Sequence, residues 1–148
     1  MSSTGVAALL ALAAGFGGAV QIAVQGRLGD RVGSLEAVAT ASLIGAVVAF
    51  TVLLVARRSL AGVGDAIGSP KWMLLGGVMS ALIILAITVA GPRIGIVATT
   101  AVLIAAQFTL ATVIDRNGWF GVERIAVSWP RLAGILLLFA GAALTLRR

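Results

Sequence analysis

From Trp72 to Ile114 the chain carries a single formal charge, Arg93, in the sequence Gly91-Pro92-Arg93. Crossing the hydrocarbon core of a bilayer takes about 20 apolar residues, each rising 1.5 Å across roughly 30 Å. The stretch therefore predicts two membrane spans joined by a turn too short to leave the interface. Helices that are apolar on every face have no place in a small soluble domain. The rest of the chain has to supply neighbours for this hairpin.

Composition agrees. The 148 residues are 60% hydrophobic and 11% charged, against about 45–50% apolar and about 25% charged in soluble domains. The fold class predicted is all-α, a polytopic membrane helix bundle forming one integral membrane domain over residues 1–148. The net charge is +6, but the eleven Lys and Arg fall between apolar blocks rather than on one face. That placement is typical of membrane loops and argues against nucleic acid. With neither Cys nor His in the sequence, disulfides, thiolate chemistry, the usual proton shuttle and the usual transition-metal ligands are absent. No cofactor or metal is expected. The first basic residue is Arg27, so the N-terminus lacks the charged start of a signal peptide. The first apolar block is expected to be kept as a span.

Five spans are predicted, at residues 6–24, 35–56, 72–90, 94–114 and 130–146. Span one is thinned by Gly15, Gly17 and Gly18, and its far end is polar. There Gln21 and Gln25 share a face with Gly18 and Ala14. A loop holding Arg27, Asp30 and Arg31 follows, with Ser34 as N-cap of span two. On span two, Ala37, Ala41, Gly45 and Ala49 recur every four residues, a helix-packing face in lipid. Gly76 and Ser80 on span three, and Gly134 and Gly141 on span five, add further small faces. Pro70, Lys71 and Trp72 mark the headgroup level. No strand alternation and no internal repeat are evident.

Alternating the loops across the bilayer puts Arg57, Arg58, Lys71, Arg116, Arg124 and Arg131, six positive charges, on one side. Arg27, Arg31, Arg93, Arg147 and Arg148, five, fall on the other. Orientation is set by Lys/Arg asymmetry, and here there is almost none. Either partner proteins fix one orientation, or the chain inserts both ways up and pairs with an inverted copy. Inverted-repeat transporters build their substrate site between two such halves.

The run Gln21, Gln25, Arg27-Leu28-Gly29, Gly33-Ser34 resembles a stretch of the YdcZ-like family. So do Gln107, Asp115 and Gly118, the corner Pro92-Arg93-Ile94-Gly95, and the closing Pro130-Arg131-Leu132 with Gly134 and Ala140-Gly141. The chain departs from that pattern at Gln25, where Asn is usual, and at Leu35-Glu36. The resemblance implies the drug/metabolite transporter superfamily, whose small members work as antiparallel dimers in a bacterial-type plasma (inner) membrane. Its expected partners are the lipid bilayer, an identical or homologous inverted chain, and an unknown small solute.

The candidate cavity residues are Gln107, Gln21, Gly18 and Thr100. A buried amide in lipid needs partners, so Gln107 either lines a cavity or bonds a neighbouring helix. Gln25 reads as an interfacial residue where the helix leaves the membrane. Glu36 is the one acid inside a span; it is either a coupling carboxylate or a first-turn acid favoured by the helix dipole. Arg27 and Arg93 either draw anions to one mouth or snorkel to headgroups. Asp115 is expected to pair with Arg116 or a loop Arg. The threonines of span four are expected to bond the preceding turn. No nucleophile–base pair or phosphate-binding glycine motif suggests an enzyme. The function expected is a transporter subunit, with a small dual-topology ion channel or a non-transporting assembly subunit as alternatives.

Overall fold

A computed structural model describes residues 3–147. Arg148, counted in the charge balance, lies outside them. Helices α1 (Ser3–Val32), α2 (Ser34–Arg57), α3 (Ala61–Gly68), α4 (Leu75–Ile94), α5 (Ile96–Asn117) and α6 (Trp129–Leu146) follow in order. A 3-10 turn, Lys71–Leu74, leads into α4. No strand occurs among the described residues. Five helical stretches are long and apolar enough to cross a bilayer: Thr4–Val32, Ser34–Arg57, Lys71–Ile94, Ile96–Asn117 and Trp129–Leu146.

Two expected boundaries move. Residues 25–32, expected to form a loop, continue α1 without a break. Glycine, not serine, then caps α2: Gly33 is the N-cap and Ser34 the first helical residue. Gly91-Pro92-Arg93, expected to be a corner, lies inside α4, and the turn falls at Gly95. Charges near a helix end do not stop a helix, because long Arg side chains reach the headgroup layer from a helical backbone. What stops both is one glycine each. Gly33 has φ 101° and ψ 148°, and Gly95 has φ 88° and ψ 160°, a region open essentially to glycine alone. Between α2 and α4 lies the short helix α3.

The two corners are one device used twice. Gly29-Asp30-Arg31-Val32-Gly33 and Gly91-Pro92-Arg93-Ile94-Gly95 share the pattern G-x-R-(V/I)-G with the same backbone at the final glycine. After each, the residue four further on donates back to that glycine's carbonyl: Ala37 to Gly33 and Thr99 to Gly95, both at 3.0 Å. This short repeat becomes visible only when the backbone angles are known.

The described residues divide into two compact units. The first comprises the described residues up to Val20 and from Ile94 on. In it α5 packs along α6, with Phe108 lying 3.7 Å from where a Cβ of Gly134 would stand. Gly118 ends α5 in the left-handed region (φ 66°) and donates to the Ile114 carbonyl at 2.8 Å, the usual glycine stop. Asp115 then ties down the segment that follows. Its carbonyl accepts the Ile125 N–H at 2.9 Å, and its carboxylate accepts from the Arg131 guanidinium at 3.1 Å. The partner is therefore Arg131 at the start of α6, neither Arg116 nor a residue of the loop itself. Both side chains are about a third exposed (31% and 32%), which places the pair among those worth up to about 1 kcal/mol. Asp115→Asn is expected to lower the thermal midpoint in detergent by that small amount. A double-mutant cycle with Arg131→Gln that shows no coupling would remove the pair from the stability of this unit.

The second unit is Gln21–Arg93. Its core is the place where the end of α1 meets the end of α4. A Cβ on Gly26 would stand 3.0 Å from the Pro92 ring, and one on Gly91 3.0 Å from the Ile22 side chain. A Cβ on Gly29 would collide with the Thr88 methyl. Bare glycines on both helices let the backbones approach, as small residues do in lipid.

Candidate functional site

The polar residues expected near a cavity are placed unevenly. Gln21 and Gln107 are exposed, and neither side chain bonds another described residue. Gly18 is half-buried, with open space around it. Thr100 shares a face of α5 with Gln107 two turns on, and its hydroxyl donates to the Ile96 carbonyl at 2.8 Å. Thr99, Thr109 and Thr112 do the same to Gly95, Ala105 and Phe108. Their hydroxyls are satisfied within their own helix, as expected of threonine in a membrane helix.

The residue that stands out is Gln25. Read from sequence as interfacial, it is 5% exposed. Among the described residues, its Nε2 is the one buried side-chain nitrogen or oxygen without a hydrogen-bond partner. It lies on the α1 stripe of Ile22, Gly26 and Gly29, the stripe that meets α4. The signal was present in the sequence, as glycines at helical spacing beyond residue 24. It was hidden because the three charges at 27, 30 and 31 look like a loop.

On the α4 side, Ile87, Thr88 and Gly91 are buried. The Thr88 hydroxyl donates to the Ile84 carbonyl at 2.7 Å. Pro92 has no N–H, so the Thr88 carbonyl lacks its regular partner four residues on. That carbonyl lies 3.7 Å from the Cβ position of Gly29. Around this crossing the charges are exposed: Arg27, Asp30 and Arg31 on α1, which line an open cleft of about 420 Å³, and Arg93 on α4. Arg27 and Arg93 thus sit within helices rather than at turns, next to the touching pair Gly26 and Pro92.

Glu36 is exposed in the first turn of α2, its carboxylate folded over Gly33. There it faces the unpaired amides of a helix start, where a negative charge is stabilising. Of the packing residues, Ala37 is fully buried, and Ala41, Gly134 and Gly141 are half-buried. Gly45, Ala49, Gly76 and Ser80 are exposed. Among the described residues, no group of three or more His, Cys, Asp or Glu gathers as metal ligands would.

Residues 6–144 match the family described as "Putative inner membrane exporter, YdcZ". The chain belongs to the YdcZ family. It is 31% identical over 139 residues to the "Inner membrane protein YdcZ" of Escherichia coli (strain K12), covering 93% of this chain and 92% of that protein. No solved structure matches it. Membership and the five apolar helices make it a multi-pass protein of the inner membrane, embedded in the lipid bilayer.

Proposed function

We propose that the chain is a transporter subunit, one integral domain that moves a small organic solute by alternating access as an antiparallel dimer. The observation that carries this reading is α2. In a helix of 24 residues only Ala37 is buried, and the small-residue face continues through Gly45 and Ala49, both exposed among the described residues of this unit. Lipid gives apolar helices no reason to associate; close approach through small residues does. With loop charges balanced six to five, an inverted second copy is the partner that suits such a face. The exporter description of the family supports solute movement as the task.

Two measurements test it together. A reporter on the C-terminus is expected to give signal from both sides of the membrane, and signal from one side only would end the homodimer version. In proteoliposomes, saturable flux of a small solute is expected, reduced severalfold by Gln107→Ala or Gln21→Ala if those amides line the path. Absence of flux across cations, polyols and amphiphiles would count against the transporter reading as a whole.

A further inference from the structure

We infer that the α1–α4 crossing is a hydroxyl-binding site, and that the solute class it takes is an uncharged polyhydroxylated molecule such as a polyol. The inference rests on the transporter reading for its purpose, but its geometry stands apart from it. Two polar groups in this crossing lack their usual partners: the Gln25 Nε2 donor and the Thr88 carbonyl, deprived of its regular donor by Pro92. Their causes are independent, a side-chain amide on one helix and an imino acid on the other.

Backbone spacing allows one small group to bridge the two. Gln25 and Gly29 are four residues apart on α1, which sets their Cβ positions about 6 Å apart. The Thr88 oxygen lies 3.7 Å from the Gly29 position. A Gln side chain extends far enough to bring its amide toward that oxygen with one small group between. The group that fits must accept from an N–H and donate to a carbonyl at once. A hydroxyl does both.

Charge narrows the class further. The stripe residues Ile22, Gln25, Gly26 and Gly29, and Thr88, Gly91 and Pro92 opposite, include no ionisable side chain. An organic cation would find no carboxylate there, and it would approach past Arg27, Arg31 and Arg93, with Asp30 the single acid among them. An anion would meet the same arginines favourably outside, but inside it would face a carbonyl oxygen. A buried polar group without a partner is unfavourable, so a chain that retains one buried donor gains when a ligand completes it.

The sequence makes the test clean, because Gln21, Gln25 and Gln107 are its only glutamines. Protein labelled with side-chain ¹⁵N-glutamine, in lipid nanodiscs, gives three NH₂ pairs assignable by single Gln→Leu variants. Titration with glycerol, erythritol and mannitol is expected to shift the Gln25 pair saturably and leave Gln21 in place. Tetraphenylphosphonium, which offers no hydrogen-bonding group, is expected to leave Gln25 unmoved. A Gln25 pair indifferent to every polyol, as a bridging water would leave it, overturns the site; so does a response to the cation instead. Polyol flux in proteoliposomes separates this from the function proposed above. Flux with an unmoved Gln25 pair defeats the site and leaves the transporter standing, whereas a saturable shift without flux does the reverse.

Discussion

Gly29→Val is expected to be the most damaging single substitution in the chain. Even a Cβ at this position collides with the Thr88 methyl. Thr88 cannot turn aside, since it is 2% exposed, stiff at χ1, and anchored by its hydroxyl to the Ile84 carbonyl at 2.7 Å. Relief has to come from separating α1 and α4, the contact that organises this unit. For Gly29→Ala the overpacking cost is about 1–3 kcal/mol, and valine adds two methyl groups to the same collision. Thermal midpoints in detergent should fall in the order wild type, Ala, Val, with Val yielding little monodisperse protein. Thr88→Ser keeps the hydroxyl and deletes the methyl, so it should recover most of the loss in Gly29→Ala. If Gly29→Ala melts like the parent, or serine at 88 gives no recovery, the close crossing is wrong.

The second large effect concerns the corners. Gly33→Ala and Gly95→Ala each force a residue with a Cβ into backbone angles that only glycine occupies readily, at a cost of about 1–3 kcal/mol. The two losses should be similar, because the two corners share a backbone geometry. At Gly33 the new methyl also meets the Glu36 carboxylate, but that side chain is exposed and can swing away, so little is added. Gly17→Ala is the contrasting control. It lies mid-helix with open space around it and exchanges glycine for the best helix former, a gain of up to about 1 kcal/mol. Equal midpoints for the Gly17 and Gly33 variants would show that the corner angles carry no strain.

Much of the architecture was legible before any coordinates. Five helical stretches long and apolar enough to cross a bilayer cover the regions picked out by hydropathy, with shifted ends, and the threonines of α5 bond their own helix as expected. These are local consequences. Span length follows from bilayer thickness, and a helix is the form in which a lone segment satisfies its own backbone in lipid. The candidate site was less legible. Gln21 and Gln107 drew attention as amides in apolar runs, but burial, which separates Gln25 from them, depends on which face of α1 meets α4.

The sequence alone therefore determined class and number: a multi-pass helical membrane protein of five spans, with balanced loop charges and the motifs of its family. The tertiary structure decided where each helix ends, because a single glycine angle outweighs a run of charges that suits loop and helix equally well. It also decided the pairings, Asp115 with Arg131 across the turn into α6 and the stripe of Gln25 against the proline-opened end of α4. Contacts between residues 16 or from 59 to 69 positions apart leave no periodic trace in the chain. They arise only when helices approach closely enough for glycine, proline and threonine to touch.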